Sequence, residues 1–116
     1  MPTTNATNVI PQYFELLEVG KTIKSTKKQY IWRFSLKRKD YTVEIFTSVL
    51  SGKKKILQNG ATMFDEKKFL SFQFSRTLEG NALSIVQQKD NFELMINNES
   101  FTSLLDKEKN EWNIII

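Results

Sequence analysis

The sequence predicts an all-β protein, an antiparallel β-sandwich of about seven to nine short strands. Apolar and polar residues alternate with a period of two in several segments, as they do in half-buried strands. Turn-forming pairs such as Ser51-Gly52 and Asn59-Gly60 recur between these segments at intervals of roughly ten residues. No segment shows convincing helical periodicity over about eleven residues. These three observations favour a sandwich over a helical or mixed fold.

The 116 residues are enough for one domain that buries its own core. Residues 1–12 are polar, lack periodicity and contain both prolines, so we predict a flexible N-terminal lead-in there. Residues 13–116 are predicted to form a single β-sandwich domain.

The first strands are predicted from aromatic and apolar clusters. Residues 13–19 suit a first strand or one helical turn that ends at Gly20, and residues 21–29 suit a basic connector. The clearest strand covers 30–37, where alternation places Tyr30, Trp32, Phe34 and Leu36 on the core face. A polar loop at 38–40 then leads into the next strand as a hairpin.

Residues 41–60 read as strand, tight turn, strand, tight turn. Tyr41, Val43, Ile45 and Val49 fall on one face of the first strand, and Phe46 is apolar on the opposite face. Residues 53–58 form the second strand, and Asn59-Gly60 suits a type I′ turn because both residues tolerate positive φ. Phe46 indicates a bulge, a strand covered on both sides, or a contact surface.

The second half of the chain is predicted to continue in short strands. We expect strands near 61–64, 70–75, 82–88 and 92–97, with a charged connector at 65–68 and turns between the others. Residues 100–105 suit either a strand or a helical turn, 106–110 a charged loop, and 111–116 a last strand that closes a sheet. The apolar strand predicted at the end of the chain is also consistent with a domain of a larger scaffold.

Composition argues against catalysis. The sequence contains neither histidine nor cysteine, so it lacks the commonest general base, the commonest metal ligand and any disulfide. No apolar run approaches the roughly 20 residues of a membrane span, and the N-terminus does not resemble a secretory signal. We therefore predict a cytoplasmic protein that is not transmembrane, is not an enzyme, and has no catalytic residue, metal ligand or cofactor.

Positive charge is concentrated in the first half of the chain. Residues 1–60 hold 11 Lys/Arg against 4 Asp/Glu, whereas residues 61–116 hold 6 against 9. Such asymmetry is typical of a face for an anionic partner, although lysines also protect edge strands and solvate sheet surfaces. Because strand side chains alternate, Lys54 should oppose Lys53 and Lys55. The candidate partner-binding residues of this basic patch are Lys37, Arg38, Lys39, Phe46, Lys53, Lys54 and Lys55.

The run VEIFTSVLSGKKKILQNG, residues 43–60, resembles the Fas apoptotic inhibitory molecule family. The family pattern is an alternating strand, then Ser-Gly-Lys-Arg, four largely apolar residues and Asp-Gly. Here residues 51–54 match the first box, 55–58 the spacer, and 59–60 the turn. Lys54 stands in place of the arginine and Asn59 in place of the aspartate.

Two further segments extend the resemblance over about residues 30 to 105. Trp32 with Phe34 looks like the opening tryptophan strand of the family, and NFELMINNESF, residues 91–101, is similar to its hairpin of type YTLEINGKSL. The resemblance implies a compact cytoplasmic β-sandwich without a catalytic site. It also implies a role in binding and regulating other proteins, including death-receptor signalling and protection against stress.

We therefore predict a non-enzymatic protein–protein interaction or regulatory module. We predict the same role for the chain as a domain of a larger scaffold. One alternative is an adaptor that binds anionic ligands, either acidic lipid headgroups or nucleic acid, through the basic hairpin. Another is a structural domain that self-associates through an exposed strand edge or Phe46.

Overall fold

The computed structural model describes residues 9–68 and 71–115 of the chain, with side chains as far as residue 110. Within these residues the chain forms nine strands and one α-helix. They are β1 (Val9–Glu18), β2 (Lys27–Leu36), β3 (Lys39–Ser48), β4 (Lys53–Gln58), β5 (Ala61–Lys67), β6 (Gln73–Leu78), β7 (Asn81–Gln88), β8 (Asn91–Ile96), β9 (Glu99–Ser100) and α1 (Phe101–Ile115), with a 3-10 turn at Lys24–Thr26.

The strands form two antiparallel sheets in which sequence neighbours are spatial neighbours. One sheet has the order β1-β2-β3-β4-β5, and the other has the order β6-β7-β8-β9. The predicted all-β class is confirmed, and two antiparallel sheets are what a β-sandwich contains. Each sheet is a meander, so every connection is a short hairpin turn or loop.

By Cα proximity the chain forms two compact units. The five-strand unit comprises Tyr13–Arg33 and Tyr41–Phe72. The four-strand unit comprises Phe34–Asp40 and the described parts of Met1–Gln12 and Gln73–Ile116. That residues 13–116 fold as one domain stays a prediction.

The first strand begins earlier than the sequence predicts. Strand β1 starts at Val9, so residues 9–12 belong to it and not to a lead-in. Pro11 is compatible with this strand because β1 lies at the edge of its sheet, where a missing N–H breaks no ladder. The remaining residues of the predicted lead-in, 1–8, lie outside the described part of the chain.

The core of the five-strand unit follows the predicted alternation. Trp32 and Tyr30 are buried and stack at 5.9 Å between ring centroids, and Phe14 stacks on Trp32 at the same distance. Val49 departs from the prediction, because β3 ends at Ser48 and Val49 turns outward with 70% of its surface exposed. The other buried apolar residues of the unit are Tyr41, Val43, Ile45, Ile56 and Phe72.

The hairpin between β4 and β5 confirms the predicted type I′ chemistry. Asn59 and Gly60 have φ of 49° and 84°, in the left-handed region that this turn requires. Thr42 and Asn59 form two hydrogen bonds, both at 2.8 Å: the Asn59 N–H donates to the Thr42 carbonyl, and the Thr42 N–H donates to the Asn59 side-chain Oδ1. Strand β4 therefore has its predicted bounds, 53–58.

Strand β5 and the two strands of the four-strand unit that follow it differ from the predicted bounds. The predicted connector at 65–68 is strand as far as Lys67, because Asp65 and Glu66 pair across the sheet with the lysines of β4. Strand β6 starts at Gln73, later than predicted, and Leu70 lies outside the described residues. Two-residue turns with left-handed backbone connect the strands, at Glu79-Gly80 and Asn97-Asn98.

The C-terminal segment is a helix, so the predicted charged loop at 106–110 is wrong, and so is the predicted last strand over 111–115; Ile116 lies outside the described residues. Phe101 is fully buried and meets Phe34 edge-on at 6.2 Å, with Leu104 and Leu105 half-buried at the helical spacings i+3 and i+4. The Ser103 N–H donates to Ser100 Oγ at 3.1 Å, which caps the helix start. The isoleucines at the end favoured a strand locally, but the strong helix formers Lys107, Glu108, Lys109 and Glu111 continue the helix.

A proline at position 109 distinguishes a helix from a charged loop. We expect Lys109→Pro to lower the free energy of unfolding by about 3 kcal/mol, since it removes a helical hydrogen bond and clashes with the preceding turn. Lys109→Ala, at the same exposed position, should stay within about 0.5 kcal/mol. Chemical denaturation followed by circular dichroism measures both, and equal stability of the two variants would contradict the helix.

A lysine-lined groove as the candidate functional site

The excess of basic over acidic residues lies in the five-strand unit. This unit holds 10 Lys/Arg against 5 Asp/Glu, whereas the four-strand unit holds 7 against 8. The asymmetry between the two halves of the sequence therefore corresponds to a difference between two structural units. A search for a site for an anionic partner begins in the five-strand unit.

Within this unit, one face of the sheet carries a groove of about 220 Å³. Pockets for drug-sized ligands usually have about 300–1,000 Å³, so this lysine groove suits a single anionic group or side chain better than a whole cofactor. Four of its lining residues are lysines, and none is a carboxylate. The lysine groove is lined by Val19, Lys27, Lys28, Phe46, Thr47, Ser48, Ser51, Lys53 and Lys55.

Strand pleating brings Lys53, Lys55 and Phe46 to the groove. Phe46 lies directly opposite Lys55 in the pairing of β3 with β4, so both side chains point to the same face. The apolar residue on the unexpected face of β3 is thus a half-buried wall of the groove. The register shift in this region falls between Ile56 and Leu57, away from Phe46.

One carboxylate, that of Asp65, lies next to the outward-facing lysines of β4. Lys53 Nζ lies 3.7 Å from Asp65 Oδ1, with about half of each side chain exposed. Such a surface ion pair contributes about 0.2–1 kcal/mol and is screened by salt. Asp65 is also the register partner of Lys55 in the pairing of β4 with β5, so one carboxylate lies beside both lysines.

Strand β4 is an inner strand of its sheet, between β3 and β5. Protection of an edge strand therefore does not explain why Lys53 and Lys55 are present. Their face is open to a partner or to water.

Lys54 is a structural residue, which corrects its place among the candidate binding residues. It is 6% exposed, whereas Lys53 is exposed, as the alternation predicts. Its Nζ donates to the Lys68 carbonyl at 2.5 Å and to the Gly52 carbonyl at 3.4 Å. The Lys68 N–H also donates to the Gly52 carbonyl, so Lys54 ties the start of β4 to the residue that follows β5. Burial lowers the pKa of the Lys54 ammonium.

The first predicted basic set does not line the groove. Lys37 and Arg38 form the exposed turn before β3 with φ of 48° and 67°, and Lys39 begins that strand. Lys39 Nζ lies 3.3 Å from Glu79 Oε2. Because Lys53 follows the end of β3, the ten residues of this strand separate the two sets along the chain.

Sequence reasoning missed Lys27 and Lys28, which lie in β2 and not in the predicted connector. The signal was available: in an antiparallel meander the start of β2 lies beside the end of β3 and the start of β4. Lysines at 27–28 and 53–55 should therefore have been expected at the same end of the sheet.

The groove offers charge but little else for chemistry. Ser48 Oγ accepts a hydrogen bond from the Ser51 N–H, and Ser51 Oγ accepts one from the Lys53 N–H, at 3.3 and 3.2 Å. Both hydroxyls thus shape the turn between β3 and β4. Among the described residues, no group of three or more His, Cys, Asp or Glu side chains could hold a metal ion, and no helix is long and apolar enough to cross a membrane.

No family profile matches the chain, and neither a curated protein nor a solved structure is found to be similar to it. The resemblance to the Fas apoptotic inhibitory molecule family therefore stays a prediction.

Replacing Lys54 and Lys53 in turn separates a structural lysine from a surface one. We expect Lys54→Met to lower the free energy of unfolding by about 1–3 kcal/mol, because the carbonyls of Lys68 and Gly52 lose a buried donor. Lys53→Met should stay within about 0.5 kcal/mol. Urea denaturation at neutral pH compares them, and equal losses would show that Lys54 is not buried.

The difference in unfolding free energy between the wild type and Lys54→Met should depend on pH. A lysine pKa that is lowered in the folded state means that the folded protein releases its proton first. The cost of burying the charge is full below the folded pKa and disappears as pH rises from there to the ordinary lysine value. The wild type should therefore gain stability relative to Lys54→Met at alkaline pH. A stability difference between the wild type and Lys54→Met that narrows with rising pH would contradict this expectation.

Proposed function

We propose that this protein is a non-enzymatic interaction module that binds an anionic partner through the lysine groove. The observation that supports the proposal best is the convergence of Lys27, Lys28, Lys53 and Lys55 on one shallow groove that has no carboxylate in its lining. Lysine ammonium groups on flexible stems contact anions as point charges, without demanding one fixed geometry. A cytoplasmic location and a place within a larger scaffold belong to the same proposal.

Anion binding of this kind is electrostatic. Its affinity should fall as ionic strength rises, because the lysines and Asp65 lie near water, where salt screens their charges. The groove is too small to enclose a large ligand, so the partner would present one anionic group at a time along an extended surface. This favours a macromolecule or an assembly with repeated negative charge over a small metabolite.

Retention on immobilised heparin, a generic polyanion, tests the proposal. We expect the wild type to be retained and Lys53→Gln/Lys55→Gln to elute at clearly lower salt. Lys89→Gln/Lys109→Gln removes the same charge from exposed positions of the four-strand unit and should elute close to the wild type. Equal shifts for both double variants would mean that net charge alone causes retention, and the groove would then not be the binding surface.

A protein partner is the second candidate, and Phe46 is the observation that favours it. This half-buried ring beside Lys55 suits an acidic segment that also carries an apolar side chain. The resemblance to a family of protein regulators supports the same candidate. Self-association through a sheet edge or Phe46 remains a further prediction.

Affinity capture from nuclease-treated lysate, at two salt concentrations, addresses the protein candidate. We expect one partner that survives nuclease, is lost with Lys53→Gln/Lys55→Gln and with Phe46→Ser, and is retained with Lys89→Gln/Lys109→Gln. The captured protein must then bind the purified wild type with the same dependence on the variants. A partner that all variants retain would exclude the groove as its binding surface.

A further inference from the structure

The end of the five-stranded sheet next to the lysine groove carries protruding apolar side chains. Val49 and Leu50 form the turn between β3 and β4 with 70% and 76% of their surfaces exposed. They are the most exposed large hydrophobic residues in the described part of the chain. Val19 and Ile23, in the loop between β1 and β2, are 41% and 61% exposed. We call Val19, Ile23, Val49 and Leu50 the apolar tip.

The two segments of the apolar tip belong to one end of the sheet. In the antiparallel meander, β1 and β3 end where β2 and β4 begin. The Val49 N–H donates to the Thr26 carbonyl at 2.9 Å, which joins the turn to the loop. All four residues of the tip therefore lie at one end of the sheet.

Backbone hydrogen bonds hold the tip in shape. The Gly52 N–H donates to the Ser48 carbonyl at 2.9 Å, and the Gly20 N–H donates to the Lys24 carbonyl at 3.0 Å. Thr26 donates to the Ile23 carbonyl from both its N–H and its hydroxyl, at 3.1 and 2.7 Å. Several backbone polar groups of the tip are thus hydrogen-bonded, which lowers the cost of placing these segments in an apolar phase.

Lysines surround the tip. Lys21 and Lys24 are exposed in the loop that carries Ile23, and Lys53 follows the turn that carries Leu50. Lys27 and Lys28 begin β2 beside them and line the groove together with Lys53. Apolar side chains at a protruding end with cations around them are the arrangement of interfacial membrane anchors, where lysines reach the headgroups.

We propose that this end of the sheet docks on a lipid bilayer with acidic headgroups, with Val49 and Leu50 entering the interface and the groove lysines contacting the headgroups. The inference rests on the proposed function and names the anionic partner. A protein surface would need a pocket that fits a turn, whereas a bilayer accepts a protruding apolar group without one. Neither signal alone gives stable binding, since a few charges or a few aliphatic groups are each marginal.

Co-sedimentation with vesicles tests the inference. We expect the wild type to bind phosphatidylcholine vesicles that contain phosphatidylserine, and not vesicles of phosphatidylcholine alone. Val49→Ser/Leu50→Ser should weaken binding about 10-fold or more through lost apolar contact. Lys53→Gln/Lys55→Gln should weaken it about 30-fold, since each lysine near an acidic surface contributes roughly 5-fold.

Two control variants change residues that are not part of the tip. Ile10→Ser removes another exposed aliphatic side chain, 52% exposed in β1, and Lys89→Gln/Lys109→Gln removes two other lysines. Both should bind vesicles as the wild type does. Because the sequence has no cysteine, Leu50→Cys can carry a single environment-sensitive dye. Its emission should shift to the blue on vesicles with phosphatidylserine, and that of a dye on Ile10→Cys should not.

The outcomes separate this inference from the proposed function. Binding to acidic vesicles with loss in the tip variant and a shifted Leu50→Cys dye supports docking. Binding without a dye shift, or undiminished in the tip variant, overturns the insertion of the tip, although the groove still binds anions. Retention on heparin without vesicle binding overturns the lipid partner and leaves an acidic protein or nucleic acid. Absence of both overturns the proposed function as well.

Discussion

Two-residue turns with left-handed backbone set the register on which the rest of this structure depends. In an antiparallel strand a slip of one residue moves every side chain to the other face. Asn59-Gly60 and Asn97-Asn98 place two consecutive residues at positive φ, which limits each hairpin to one pairing. Alternation along β4 places Ile56 in the core and Lys55 on the opposite face, and the pairing with β5 continues past a register shift between Ile56 and Leu57. The core and the candidate site are thus two consequences of one constraint.

The three consecutive lysines of β4 show how this constraint divides chemically identical residues. Lys54 faces inward and donates to two backbone carbonyls, so it stabilises the end of the sheet. Lys53 and Lys55 face outward, on an inner strand where edge protection is not needed. A charge run that is uniform in sequence therefore separates into a structural ammonium and two that solvent and a partner can reach.

The exposed apolar turn and the lysine groove lie at one end of the same sheet. Strand meanders bring alternate chain reversals together, so residues near 20, 50 and 68 share this end although they are far apart in sequence. Backbone hydrogen bonds to Thr26, Ser48 and Lys68 hold the turn at 49–52. Charge and apolar surface are therefore combined on backbone that is already ordered, which reduces the entropy lost on binding.

The alternating pattern of the sequence alone determined the all-β class, the aromatic core of β2, the bounds of β4 and the opposition of Lys54 to its neighbours, because local periodicity and turn chemistry specify them. The α-helix was missed because Phe101, Leu104 and Leu105 show helical spacing over only one turn, while the isoleucines at the chain end favour a strand.

The groove was only half predicted: Phe46, Lys53 and Lys55 were among the candidates, but Lys27 and Lys28 reach it through the pairing of β2 with β3. Tertiary structure decided the burial of Lys54 and the exposure of Val49, and it set the meander order from which the meeting of these lysines follows. These depend on where strands end and which strands are neighbours, and no local pattern encodes contacts between distant residues.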